Sequence, residues 1–236
     1  MKAFLCSSPY NNHDKVFRKN SLRTQLKNAW PEKARICYIA SDPDDYVTTD
    51  NYVRVHSRAY REHFKIDSWQ TIDHRLYEPE KYLKKANIFI VAGGSCHKQI
   101  RYLHEIHFEE YLNKNNILLI GCSAGSMNML KTVYVPPETE KEESDPDYVK
   151  FYEGYGLADI LMVPHYVQLK NEVLNGKRII DDIIAQDSMG KEIYLFPDAT
   201  YLWIDGERKY IRGEFYLMKD GNITKMQETG DMCLVR

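Results

Sequence analysis

Short runs of consecutive apolar residues alternate with stretches of helical periodicity along the first half of the chain. The apolar runs predict strands at residues 3–7, 35–40, 66–72, 87–92 and 117–121. Apolar residues at helical spacing predict helices between them, at residues 49–64, 78–85 and 99–114. Runs without polar alternation indicate strands buried on both faces, as in a parallel sheet covered by helices. We therefore expect an α/β protein with an open, mostly parallel, doubly wound sheet flanked by helices.

The second half of the chain has a different pattern. Residues 136–147 hold six acidic residues, one lysine and three prolines, which predicts a mobile surface loop, with a lid over a site as the alternative. Beyond residue 200, Asp205-Gly206 and Asp220-Gly221 interrupt β-rich runs and predict β-hairpins near the C-terminus. Neither a repeat nor a second-domain boundary is evident, so we expect residues 1–236 to form a single α/β domain.

Composition and charge narrow the classes of function. With 32 basic and 34 acidic residues the formal net charge is −2, which gives no overall field for binding nucleic acid or an anionic membrane. No stretch approaches the roughly 18 apolar residues of a membrane span. The five cysteines form no C-x-x-C pair, which argues against a disulfide scaffold and a thiolate zinc site. We expect a cytoplasmic protein; its oligomeric state, a homo-oligomer included, is left open.

The strongest local signal is the G-x-S-x-G sequence of residues 121–125, directly after a predicted strand and before a predicted helix at 126–130. A serine hydroxyl is a weak nucleophile unless it is exposed beside a base and near hydrogen-bond donors for an oxyanion. A sharp strand-to-helix turn meets these needs, so Ser123 is the candidate nucleophile. The alternatives are an ordinary glycine-rich turn, and a thiol nucleophile at Cys122.

A general base and an acid have to come from other strand ends. His165 alone among the eight histidines ends an apolar run, at residues 160–165. Because ligands of open α/β sheets bind at the carboxyl ends of the strands, His165 is the candidate base for Ser123. Asp198 ends another such run, at 193–198, and is the candidate partner of the imidazole. Glu138 and Asp159 are the competing acids.

Other candidates remain beside these three residues. Gly93-Gly94, at a further strand end, offers backbone N–H groups that with the N–H of Ala124 predict an oxyanion hole. The alternative for the glycine pair is a phosphate-binding loop. His97 is a candidate pocket residue, whereas His104 and His107 lack the H-E-x-x-H spacing of a metal site and are expected on an ordinary helix face.

Four segments in this order, residues 91–95, 121–126, 164–165 and 197–200, resemble the peptidase E (aspartyl dipeptidase) and cyanophycinase family of serine peptidases. The resemblance spans about residues 87–206 and implies a flavodoxin-like sheet related to the class I glutamine amidotransferases. Carried over, it implies Ser123 as nucleophile, His165 as general base and then acid, and Gly94 and Ala124 as oxyanion donors. It implies neither a metal nor an organic cofactor.

The sequence also departs from the pattern of that family. Asp198 stands where relatives usually carry glutamate, Ser95-Cys96 replaces an Asn-Thr pair, and the acidic segment at 138–147 would repel an aspartyl substrate. We expect a serine peptidase that hydrolyses short peptides or dipeptide-like amides through a Ser-His-Asp triad and an acyl-enzyme. The alternative is a non-catalytic binding or regulatory module on an amidotransferase-like fold.

Overall fold

The computed structural model of the protein describes residues 1–10, 21–114, 116–228 and 232–235. In its first half strands and helices alternate as the apolar pattern predicts, with α1 as an additional helix that the pattern did not predict. The elements there are β1 Lys2–Cys6, α1 Leu22–Ala29, β2 Arg35–Ile39, α2 Tyr46–Arg61, β3 Ser68–Ile72, α3 Glu80–Leu83, β4 Ile88–Val91, α4 Cys96–Glu105, α5 Glu109–Leu112, β5 Leu118–Cys122 and α6 Ala124–Met127.

The second half contains shorter helices and more antiparallel pairing. Its elements are β6 Thr132–Tyr134, α7 Glu140–Ser144, β7 Phe151–Glu153, β8 Leu161–Val163, α8 Tyr166–Leu169, β9 Val173–Leu174, β10 Lys177–Arg178, a π-helix Ile179–Ile184, α9 Ala185–Asp187, β11 Glu192–Leu195, β12 Tyr201–Asp205, β13 Arg208–Arg212, β14 Phe215–Lys219, β15 Asn222–Gln227 and β16 Met232–Val235. The β12–β13 and β14–β15 pairs are antiparallel, which confirms the two predicted hairpins.

Within the described residues the central sheet has the strand order β16-β13-β12-β1-β5-β4-β2-β3. Strands β1 to β5 run parallel, and β12, β13 and β16 are antiparallel to their neighbours. On β4, Phe89 and Val91 pack into one core cluster while Ile88 and Ile90 pack into another. The strand is therefore buried on both faces, and the predicted doubly wound α/β sheet is confirmed.

A second sheet, which the sequence did not predict, carries part of the site. Its order is β15-β14-β11-β8, with β8 and β11 parallel to each other. Its own apolar cluster includes Val163, Leu195 and four isoleucines of the π-helix. The strands that lead to His165 and Asp198 therefore end beside each other, but in a different sheet from the strand that leads to Ser123.

The single helix predicted at residues 99–114 is wrong, because the chain folds into α4 and α5 with a break between them. His107 adopts a left-handed conformation with φ of 49°, which ends the helical path. The break lets the fully buried ring of Phe108 pack edge-on against Phe89, with ring centroids 5.1 Å apart. The burial of Phe108 therefore outweighs the helical spacing of apolar residues, which alone would favour one continuous helix over 99–114.

The acidic segment at residues 136–147, predicted as a mobile surface loop, contains a short helix. Helix α7 lies within it, and a capping box between Thr139 and Glu142 satisfies its first N–H groups. An ion pair from Lys177 to Glu143 and hydrogen bonds from Asn175 tie the helix to the β9–β10 hairpin. The helix cap, the ion pair and the hydrogen bonds therefore stabilise helical structure in a segment whose composition is typical of a loop.

Candidate active site

Ser123 occupies the turn between β5 and α6. Its backbone has φ 49° and ψ −114°, a conformation that side-chain-bearing residues rarely adopt, and its N–H donates to the Cys6 carbonyl at 2.9 Å. Helix α6 begins two residues before the predicted start and has only four residues. The turn thus projects the hydroxyl of Ser123 beyond the carboxyl end of the central sheet.

The two glycines flanking Ser123 allow close backbone packing. A Cβ on Gly125 would lie 2.2 Å from the Val91 carbonyl oxygen, and one on Gly121 would lie 2.8 Å from Cα of Ser126. Both separations are shorter than any real Cβ contact, so neither position accepts a side chain unless the neighbouring backbone moves. The G-x-S-x-G spacing is therefore a packing requirement of the turn from β5 into α6, which lies against the end of β4.

His165 follows β8 and contacts both other candidate residues. Its Nε2 lies 3.0 Å from Oγ of Ser123, and its Nδ1 lies 2.6 Å from Oδ1 of Asp198. The backbone of His165 is left-handed, with φ 59° and ψ 30°, which turns the chain sharply from β8 into α8. Its side chain is 36% exposed and that of Asp198 is 9% exposed, so the hydrogen-bonded chain runs from the protein interior to an accessible serine.

The second oxygen of Asp198 is held by Gln168. Nε2 of Gln168 donates to Oδ2 of Asp198 at 2.7 Å, while Oε1 of Gln168 is buried with no hydrogen-bond partner among the described residues. Gln168 was missed in the sequence analysis. Its position three residues after His165, in the short helix that begins directly after the histidine, is the signal that points to it.

Ser7, also missed from the sequence, connects the two sheets at the site. Its fully buried hydroxyl accepts the backbone N–H of His165 at 2.9 Å and donates to the Phe196 carbonyl at 3.2 Å. The N–H of Ser8 donates to the carbonyl of Asp198 at 3.1 Å. The end of β1 therefore fixes both strand ends of the second sheet relative to Ser123. A lone serine after an apolar strand carries no sequence signal for this role.

Gly93 and Gly94 approach the serine turn from the end of β4. A Cβ on Gly93 would lie 3.3 Å from Cβ of Ser123, and one on Gly94 would lie 2.2 Å from Oγ of Ser41. Gly94 has φ of 137°, a conformation that favours glycine. Within the described part of the chain, the N–H groups of Gly94 and Ala124 donate to no protein acceptor. Both donors are free to bind a substrate oxygen.

The remaining sequence candidates lie apart from this chain of hydrogen bonds. Nε2 of His97 lies 2.8 Å from the Val149 carbonyl, and this candidate is not among the described residues that line the cavity at Ser123. His104 stacks on Tyr155 and His107 faces Glu109. The four cysteines whose side chains the structure describes are free thiols.

The two competing acids differ in position. Asp159 pairs with Lys131 at 2.7 Å on the surface. Glu138 makes no contact with Nδ1 of His165 but lines a cavity of about 510 Å³ beside Ser123 and His165. Cys122 lines the same cavity. Burial raises the pKa of the Glu138 carboxyl, nearby Glu142 raises it further, and His165 opposes the shift.

The model of peptidase family S51 matches residues 3–212 of the chain. The chain belongs to this family. It is therefore a serine-type peptidase rather than the non-catalytic binding module that the sequence left as an alternative. A search of curated proteins gave no match.

Two solved structures have the same fold as this S51 peptidase. A peptidase from an acI-B1 Actinobacterium matches with a TM-score of 0.65 and 13% identity, over 99% of this chain and 96% of that one. A putative peptidase E protein from Listeria monocytogenes EGD-e matches with a TM-score of 0.57 and 16% identity, over 96% of this chain and 98% of that one. In the described residues, no helix has the length and apolar character needed to cross a membrane.

Proposed function

We propose that this S51 peptidase hydrolyses short peptides or dipeptide-like amides through a Ser-His-Asp triad of Ser123, His165 and Asp198. The observation that carries the proposal is the hydrogen-bonded chain from Oγ of Ser123 through the imidazole to the carboxylate, at 3.0 and 2.6 Å. A binding surface alone has no need of a serine in a strained conformation beside an oriented imidazole.

Acylation begins with attack of Oγ of Ser123 on the carbonyl carbon of the scissile amide. Nε2 of His165 takes the hydroxyl proton, and the carboxylate of Asp198 accepts from Nδ1–H and stabilises the imidazolium. The N–H groups of Gly94 and Ala124 bind the oxyanion of the tetrahedral intermediate. The C–N bond then breaks, and the imidazolium donates its proton to the departing amine.

Deacylation uses the same groups with water as the nucleophile. His165 removes a proton from water, the hydroxide adds to the ester carbon, and the C–O bond to Ser123 breaks. The proton held on Nε2 returns to Oγ, which restores the free serine and releases the carboxylic acid. The cavity of about 510 Å³ beside Ser123 is of a size suited to a small ligand, which supports a short peptide as substrate.

A fluorophosphonate probe and a dipeptide library test the proposal together. The wild-type chain is expected to be labelled on Ser123, identified by peptide mass spectrometry, and to hydrolyse members of the library. Ser123→Ala is expected to lose both activities while keeping the wild-type circular dichroism spectrum. Asp198→Asn is expected to lower kcat by roughly 10⁴-fold, because the imidazole loses its orienting acceptor. Unchanged labelling of Ser123→Ala would overturn the assignment of the nucleophile.

A further inference from the structure

The cavity beside Ser123 has two chemically different sides. Tyr10, Tyr52, Val55 and His56 form an aromatic and apolar side, and Glu138 contributes a carboxylate. Among the described lining residues Glu138 is the single carboxylate, and they include neither lysine nor arginine. Within these described residues, a substrate carboxylate would therefore meet the like charge of Glu138 with no lysine or arginine to offset it.

The aromatic side is held in place by its own contacts. His56 stacks on Tyr10 at 4.1 Å with an interplanar angle of 14°, and on Tyr52 at 5.5 Å with an angle of 4°. Nδ1 of His56 also lies 3.0 Å from the hydroxyl of Tyr38, and His56 itself is buried. Rings fixed in this way offer a rigid flat surface to an apolar or aromatic side chain, because little conformational entropy is lost on contact.

The carboxyl group of Glu138 is free to bind a ligand. It makes no hydrogen bond to a described residue, while the N–H of Glu138 is held by Glu142 at 2.9 Å through the cap of α7. The backbone is thus fixed and the side chain is left unpaired. A cationic group is the ligand that a partly desolvated carboxylate binds most strongly, since the hydrogen bond is charge-assisted.

We propose that these groups form the subsite for the first residue of the substrate: Glu138 binds its free α-ammonium group, and the Tyr10–His56–Tyr52 side packs against an uncharged, preferably aromatic, side chain. The inference rests on the proposed function, because Ser123 must attack the carbonyl of that same residue. It makes the enzyme selective for peptides with a free N-terminus and against an N-terminal aspartate.

Six substrates test the subsite in the full-length enzyme: Phe-Leu, Ala-Leu, Asp-Leu, Lys-Leu, N-acetyl-Phe-Leu and N-acetyl-Lys-Leu, with leucine release followed by chromatography. Phe-Leu is expected to be cleaved with a kcat/KM at least about 10-fold above that of Asp-Leu and of N-acetyl-Phe-Leu. Glu138→Gln is expected to lower kcat/KM for Phe-Leu by about 10- to 100-fold, mainly through KM, and to leave the slow N-acetyl substrate within about twofold.

Two further variants complete the design. Glu140→Gln removes an exposed charge from the same segment without touching the cavity, and it is expected to behave as the wild type. Tyr52→Ala is expected to lower kcat/KM for Phe-Leu by about fivefold more than it lowers kcat/KM for Ala-Leu, because the aromatic side chain makes more use of the ring surface.

The possible outcomes separate this inference from the proposed function. Preference for Asp-Leu, or loss of Phe-Leu activity in Glu140→Gln equal to that in Glu138→Gln, overturns the subsite. N-acetyl-Lys-Leu cleaved as well as Lys-Leu, and equally sensitive to Glu138→Gln, shows a side-chain cation at Glu138 and overturns the α-ammonium assignment. In these cases labelling of Ser123 by the fluorophosphonate persists. Absence of labelling overturns the proposed function itself, and the subsite with it.

Discussion

Gln168 donates a 2.7 Å hydrogen bond to Oδ2 of Asp198, the oxygen that does not face His165. The carboxylate is thus held at both oxygens, by the imidazole on one side and by an amide on the other. Gln168 is on α8, and His165 is the residue that caps the start of that helix, so one short segment carries both the base and the group that orients its acceptor. Gln168 does not line the cavity at Ser123, so we interpret it as a positioning residue.

Replacing Gln168 by methionine is expected to lower kcat by about 10-fold and to leave KM nearly unchanged, since Asp198 loses one fixed partner but the cavity is intact. Stability is expected to change by less than about 1 kcal/mol, because the lost hydrogen bond is offset by removal of the unpaired Oε1. Steady-state kinetics and urea unfolding measure the two effects. An equal fall of kcat in a remote control, Gln186→Met, would contradict the positioning role.

The strained backbone of Ser123 predicts a stability difference between two inactive variants. Ser123→Ala keeps a Cβ at φ 49° and ψ −114°, whereas Ser123→Gly removes it. Relief of strain worth about 1–3 kcal/mol outweighs the extra backbone entropy of glycine in the unfolded chain, about 0.5–1 kcal/mol. Ser123→Gly is therefore expected to be the more stable of the two by about 1 kcal/mol in urea unfolding. A less stable glycine variant would show that the turn is unstrained.

His74 links two parts of the chain through ionic hydrogen bonds, and its charge predicts a pH-dependent contribution to stability. Nδ1 lies 2.7 Å from Oδ1 of Asp44 and Nε2 lies 3.3 Å from Glu105. The hydrogen bond to Asp44, and secondly that to Glu105, raises the pKa of His74. The folded state thus favours the protonated ring, so the stabilisation is present below the unfolded pKa and is lost as pH rises through the folded value.

Comparison of the wild type with His74→Gln measures this contribution. The difference in free energy of unfolding is expected to be on the order of 1 kcal/mol near pH 5.5, below the unfolded pKa of about 6.5, and to decline at alkaline pH. In an Asp44→Asn background the pH dependence is expected to shrink, because the principal partner is gone. A difference that grows with pH would contradict the assignment.

Much of the fold can be predicted from the sequence, because strands buried on both faces of the sheet appear as runs of consecutive apolar residues. The strands that end near Gly94 and Ser123 are continuous apolar runs, and the helices between them predict that they run parallel. The second sheet cannot be predicted in this way. Residues 160–165 and 193–198 are short apolar runs, and such runs look the same whether they join the central sheet or another one. The helix break at His107 also cannot be predicted from the sequence, because apolar residues continue at helical spacing across it.

The candidate site is predictable to the extent that its groups follow strands. Ser123, His165 and Asp198 each follow an apolar strand, and the rule that ligands bind at carboxyl strand ends predicts that they lie together, whichever sheet each strand joins. Ser7 and Gln168 carry no comparable signal, since their roles depend on which atoms of distant strands they reach. The sequence indicates Glu138 only as an alternative partner of the imidazole. Its position in the cavity depends on how α7 folds.

The pKa of Glu138 predicts how the proposed recognition of the substrate amine changes with pH. Burial, and then the charges of Glu142 and Glu172, raise it above its ordinary value of 4.5, while His165 acts in the opposite sense. Only the ionised carboxylate attracts an ammonium group, so recognition is complete above the raised pKa and is lost as pH falls through it. The ratio of kcat/KM between wild type and Glu138→Gln, measured with Phe-Leu, isolates this titration because groups common to both enzymes cancel.

That ratio is expected to approach one under acidic conditions and to rise to a plateau of about 10–100 near neutral pH, with a midpoint above 4.5. The same ratio with N-acetyl-Phe-Leu is expected to stay flat, because that substrate lacks the ammonium group. Because kcat/KM reports the free enzyme, the midpoint reflects the pKa of Glu138 in the subsite without bound substrate. A ratio for Phe-Leu that does not vary with pH would mean that the ionisation of Glu138 has no part in binding the substrate.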